Sequence, residues 1–267
     1  MNAAEASWLA RLGARTTQKA LDLLQVLAVL SAAVVLALRP GTWRRTVRAV
    51  FARQFLFTAV EAVGLAGLLG ALAGLLVVVQ ANLWLNRAGL TTLAGPLLVA
   101  VVVRELGPLL ANLLIVVNSG SAMAAEMGLM RLRGEVRVLE AQGIEPLPYL
   151  VMPRVAAAAV AALCLTLVLI VVAFASGFVF GSALEHIRSD AFIFTEQVLR
   201  ALRPADVLTV LFKSVTPAVF TAVICTTTGL NAGAAASDIP LACRRALARS
   251  LGALFLINAL ISALLYV

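Results

Sequence analysis

The chain has 267 residues, of which 62% are hydrophobic and only 13% charged. A soluble domain is usually about half apolar and about a quarter charged, so this composition excludes one and implies a polytopic membrane protein. The formal net charge of +8 comes without aromatic–basic interleaving, which argues against nucleic acid and points to Lys and Arg in loops at a membrane surface.

Residues 1–19 are polar, with Arg11, Arg15 and Lys19 four residues apart on one helical face. Residues 20–38 are apolar except for Asp22 and Gln25, and a basic run follows with Arg39, Arg44, Arg45, Arg48 and Arg53. Basic residues flanking a moderately apolar segment fit an interfacial helix on an anionic leaflet. A signal peptide fits less well, because the apolar run is long and lacks a convincing cleavage site. A true crossing over 20–38 stays open as the alternative, and it would put Arg11, Arg15 and Lys19 outside.

Five spans follow. Residues 56–80 are apolar except for Glu61 and Gln80, and 93–117 except for Arg104, Glu105 and Asn112. Residues 155–180 carry no charge. Residues 206–230 are apolar apart from Asp206 and Lys213, and 250–267 are apolar to the end. Each is long enough to cross a hydrocarbon core of about 30 Å. With the N-terminus inside, fifteen basic residues fall on inner segments and four (Arg87, Arg188, Arg200 and Arg203) on outer ones. That bias sets the N-terminus inside and the C-terminus outside.

The first span carries Gly64, Gly67, Gly70, Ala71 and Gly74 at three- and four-residue spacing. Such a face allows close helix approach, to a neighbouring helix or a second protomer; ordinary glycine abundance in membrane helices is the plainer explanation.

The second span holds Arg104-Glu105-Leu106-Gly107-Pro108. Pro108 has no amide hydrogen, so the carbonyl of Arg104 loses its helical partner and a kink is expected at Gly107-Pro108. An ionised side chain at mid-bilayer costs about 2.5–3.5 kcal/mol, tolerable when it faces a cavity or a partner. Adjacent residues point about 100° apart, so Arg104 and Glu105 are poorly placed to pair with each other. Lys213 is the expected third member, with Asp206 about two turns earlier. The cluster reads as the polar centre of a translocation cavity or as an ion network that fixes helix packing.

Between the second and third spans, residues 123–142 place Leu129, Leu132, Val136 and Leu139 on one face, with Arg131, Arg133, Glu135, Arg137 and Glu140 off it. The segment is too charged to span. It reads as a short cytoplasmic helix with one face free for a partner, or as a solvated connector. Gly128 and Gly134 weaken it, and Gly143, Pro146 and Pro148 end it.

Other chemistry is sparse. Cys164, Cys225 and Cys243 show no ligand or disulfide spacing, and His186, the sole histidine, reads as a surface residue. No P-loop, nucleophile elbow or carboxylate pair suited to acid–base work occurs, so no catalytic residue, metal or cofactor is expected, and any ATPase is a separate chain.

The stretches VVVRELGPLLANLL, GSAMAAEMGLM and EAQGIEPLPYLVMPR, with LFKSV at 211–215 and the Arg53-Gln54 to Gln80 frame, resemble the MlaE/YrbE permease family over roughly residues 45–265. These are membrane subunits of ABC transporters that move phospholipids or other lipids through Mce-type systems. The resemblance implies an all-α membrane protein: an N-terminal interfacial helix, five transmembrane helices and a short cytoplasmic coupling helix between the second and third. Residues 1–54 would form the N-terminal amphipathic segment and 55–267 the permease domain.

The resemblance implies a second permease copy (identical or a paralogue), an ABC ATPase subunit and a periplasmic Mce-domain protein in the bacterial inner membrane, serving outer-membrane lipid homeostasis. It places Arg104, Glu105 and Lys213 at the lipid cavity, and Asp206 and Gln80 are grouped with them as cavity candidates. It places Glu126, Met127, Gly128, Met130, Arg131, Arg133, Glu135, Arg137 and Glu140 at the ATPase dock. The chain departs from the family pattern at Asn118, at Gly134-Glu135 and in NAGAAASDIPLACRR (231–245), all expected on the cytoplasmic side. From another class, the alternative is an ion- or proton-coupled secondary transporter or channel that uses Arg104, Glu105 and Lys213 as a relay.

Overall fold

The computed structural model describes residues 21, 24–89, 94–183, 191–233 and 235–266. The stripe Arg11, Arg15 and Lys19, together with Asp22, His186 and Arg188, lies outside the described residues. The described elements are all helices, and five are long and apolar enough to cross a membrane.

A shorter apolar helix, α1 (Leu24–Leu38), comes first. At about 1.5 Å per residue its described length is about 22 Å, short of a hydrocarbon core. Ala33 is buried, and Val26, Val29 and Leu30 pack beside it on Met123, Ala124, Val151 and Val155. Leu24, Val35 and Leu38 on the other side stay exposed. The turn after α1 is held by local bonds: Thr42 Oγ1 and Trp43 Nε1 donate to the carbonyls of Leu36 and Ala37. Trp43 also meets Phe51 edge-on at 5.3 Å. Aromatic rings with one polar handle suit the membrane–water boundary.

Helix α2 (Arg45–Phe55) keeps Arg45, Arg48 and Arg53 exposed and buries Val47 and Gln54. It runs through a wide, π-type turn (Leu56–Val60) into α3 (Val63–Ala88), and the two make the first span. The second span is one continuous path: α4 (Ala94–Leu98), a wide turn (Val99–Leu106), α5 (Gly107–Ile115), another wide turn (Val116–Gly120) and α6 (Ser121–Leu132). Instead of one connecting helix over 123–142, the first half prolongs this span. Gly134, at φ 76°, then ends it, and α7 (Glu135–Ala141) follows. A left-handed residue between two helices costs glycine little, which is why the break falls there.

After a wide turn (Leu147–Val151), α8 (Met152–Ala183) forms the third span, α9 (Ala191–Ala201) packs against α4, and α10 (Pro204–Leu230) and α11 (Asp238–Tyr266) are the fourth and fifth. Lipid tails are as apolar as the side chains, so van der Waals fit between helices does most of the assembly. Three buried layers provide it, around Met123 and Ala222, around Ala111 and Leu165, and around Val78, Val103 and Val210.

The tightest seam joins α3 to α8. A Cβ on Gly74 would overlap the carbonyl oxygen of Ala173, and one on Gly70 would lie 3.0 Å from the carbonyl oxygen of Leu169. Ser176 Oγ donates to the Ala71 carbonyl across this seam at 3.0 Å. Gly64 and Gly67 point elsewhere, with nothing within 4 Å of their Cβ positions. The small-residue stripe therefore divides, half within this chain and half on an outer face.

Candidate functional site

The second and fourth spans carry the same local pattern: a charged residue four positions before a proline, Arg104-to-Pro108 and Lys213-to-Pro217. A proline inside a helix strips the residue four back of its carbonyl's hydrogen-bond donor. In the second span the expected kink takes the form of the wide turn, where the Gly107 N–H reaches five residues back to Val102. In the fourth, α10 passes through Pro217 unbroken. The freed carbonyl of Lys213 is met by Asn112, whose Nδ2 lies 3.1 Å from it, 3.1 Å from the Ser214 carbonyl and 2.9 Å from that of Pro108. A side-chain amide in one span thus mends a proline break in the other.

Two ion pairs flank that repair. Lys213 Nζ lies 2.5 Å from Glu105 Oε1, with the lysine side chain 0% exposed and the glutamate 43%. Ser262 Oγ of α11 donates to the same carboxylate oxygen at 3.3 Å. Arg104 Nε lies 2.6 Å from Asp206 Oδ1, and Asp206 also accepts the N–H of Arg203 at 2.8 Å, starting α10. Neighbouring residues on one helix point apart, so each takes its own partner on α10, and no charge is left alone in the low dielectric. Beside Asp206, an open cleft of about 730 Å³ runs between α8, α9 and α10, walled by Ile170, Phe174, Phe178, Val198 and Val210. Gln80 is exposed on α3, and none of the described bonds joins it to the pairs.

At the opposite end of the second span, the residues expected at the ATPase dock divide. Met127 is 0% exposed and Gly128 is buried. Glu126 turns to Arg154 at the start of α8. Arg131 donates to the Leu230 carbonyl at the end of α10. Arg133, Arg137 and Glu140 are exposed, while Met130 and Glu135 are half-buried. Val138 is more open than any member of the apolar face expected at Leu129, Leu132, Val136 and Leu139.

Residues 51–264 match the family described as permease MlaE. The chain belongs to the MlaE permease family. It is 32% identical over 206 residues to a probable ABC transporter permease protein of Synechocystis, covering 77% of this chain and 78% of that one. It is 28% identical over 240 residues to the chloroplast protein trigalactosyldiacylglycerol 1 of Arabidopsis thaliana, covering 89% of this chain and 67% of the plant protein. Over 123 residues, 46% of this chain and 47% of the other, it is 28% identical to the intermembrane phospholipid transport system permease protein MlaE of Haemophilus influenzae.

In this MlaE-family chain the pairing partners of the four charges, and the roles of Asn112, Pro217, Ser262 and Arg154, go beyond what sequence reasoning assigned. Pro217 repeats the spacing of Pro108, which is the signal that could have found it. Ser262 and Arg154 carry no such local signal. The departures from the family pattern sit at one end of the bundle. Asn118 is exposed in the second wide turn, Gly134 makes the left-handed break, and Asp238 Oδ2 accepts the Ala235 N–H at 3.3 Å where α11 begins.

Proposed function

We propose that this chain is the membrane permease of an ATP-driven transporter that moves phospholipid, or a related lipid, between the inner membrane and an Mce-type periplasmic partner. ATP hydrolysis belongs to a separate ABC ATPase, and a second permease copy completes the translocation path. The N-terminus is cytoplasmic. One observation carries the reading: two charge pairs link the second and fourth spans inside a permease-family bundle, beside an apolar cleft suited to lipid tails. Intramembrane charges of this kind mark transport paths more often than passive anchors.

The names of the Synechocystis and Haemophilus relatives support an ABC permease and phospholipid respectively. In this reading Arg133, Arg137 and Val138 meet the ATPase, and opening of the α5–α10 contact exposes Glu105 and Lys213 to a lipid headgroup. Reconstitution of the assembled complex in liposomes tests it. Transfer of fluorescent phosphatidylethanolamine that requires ATP supports the proposal. Ion flux that follows a gradient without ATP would instead establish a secondary transporter or channel.

A further inference from the structure

Arg154 is a charged side chain that the cluster does not use. It is 4% exposed, in the first turn of α8. Its Nη2 lies 2.9 Å from Glu126 Oε1 on α6, and its Nη1 donates to the Leu150 carbonyl at 2.7 Å. Desolvating a guanidinium costs several kcal/mol unless a partner compensates it. Charge-assisted bonds from the two ends of one guanidinium fix geometry as well as energy. This pair lies within the packed bundle, about two turns short of an excursion: residues 133–146 leave after α6 and return at the wide turn Leu147–Val151, while Met127, Leu150, Val151 and Met152 stay buried.

Little else places the excursion. Helix α7 buries no residue. The glycine turns around it, Gly134 at φ 76° and Gly143 at φ 74°, have nothing within 4 Å of their Cβ positions. The described polar ties that join the excursion's base to the bundle are the Glu126–Arg154 pair and the Arg131 bond to Leu230. Glu126 and Arg131 are five positions apart and point about 140° away from each other, so they hold α6 from two sides. Without Glu126, the buried Arg154 guanidinium loses its carboxylate partner, and the polar link between α6 and α8 goes with it.

We infer that Glu126 and Arg154 are positioning residues, a clasp that fixes α7 against the spans so that movement of the ATPase is transmitted to the bundle. This rests on the ATP-driven permease reading. The test uses the complete complex and the variants E126Q and E126D. Hydrogen exchange over residues 135–146 reads the clasp directly. The wild type and E126D are expected to exchange alike, and E126Q about tenfold faster, as when a local opening loses its restraint. In liposomes of phosphatidylethanolamine and phosphatidylglycerol, lipid transferred per ATP hydrolysed is expected to fall about tenfold in E126Q, within the usual span of coupling between sites. The ATPase still co-purifies, and E126D keeps the wild-type melting temperature.

Unchanged exchange in E126Q overturns the clasp. So does a parallel loss of melting temperature and ATPase in both variants, which a merely structural pair would give. A wild type that moves no lipid defeats the permease reading alone, because the exchange comparison needs no transport.

Discussion

Truncating Glu105 to alanine removes the partner of an ammonium group that is 0% exposed. Breaking a fully buried pair costs about 3–5 kcal/mol, because the remaining charge stays desolvated and alone. An exposed pair is worth about 1 kcal/mol at most. Lys213 belongs to the first case, but Glu105 is 43% exposed on its side chain and water already screens it. The expected loss for E105A therefore lies between the limits, at about 2 kcal/mol. K213M removes the buried charge and keeps an unbranched apolar side chain in its space. With neither charge present, E105A/K213M is expected within about 1 kcal/mol of the wild type, since apolar replacement of a buried pair is often neutral. Reversible unfolding in mixed detergent micelles, run as a double-mutant cycle, isolates the pair. Equal destabilisation of E105A and the double variant would mean that the lysine does not depend on this carboxylate.

Asn112→Leu removes the amide that meets the carbonyls of Pro108, Lys213 and Ser214; unfolding in the same micelles should register a loss of about 1–3 kcal/mol. G74L should abolish the folded chain, read as loss of the monodisperse peak, because the side chain has to displace the backbone of α8 at Ala173. G64A and G67A should leave the isolated chain's melting temperature unchanged, and any loss they cause only in the assembled complex would locate a second chain on that face. The double variant R133E/R137E should release the ATPase in pull-down without changing the permease's melting temperature, since both arginines are exposed. Continued co-purification would move the dock away from α7.

Hydropathy located the five crossings because an uncharged run of twenty or so residues has few other uses. It could not see how far each helix continues beyond the membrane. Charge rules out burial in lipid but does not end a helix, so Arg45–Phe55 and Ser121–Leu132 prolong the first and second spans. The charged cluster was legible as a set, from cost alone. Its pairing was not, because which of Asp206 and Lys213 meets Arg104 depends on how α10 is rotated against the wide turn at Val99–Leu106. The expected ATPase-facing segment was legible in its charge pattern and only partly in its roles. Arg131 and Glu126 look like surface charges in a helical wheel, yet both are spent on this chain's own α10 and α8. The contacts that redirect them come from residues 99 and 28 positions away, beyond any local pattern.

In the proposed function, the Glu105–Lys213 pair takes part in moving lipid and does more than hold two spans together. ATP-dependent transfer of labelled phosphatidylethanolamine by the reconstituted complex carrying E105A/K213M tests this most directly, because that variant is expected to be folded and stable. Transfer is expected to fall to the background seen without ATP, with the ATPase still bound. Transfer at the wild-type rate would contradict that role and reduce the pair to a device for packing helices.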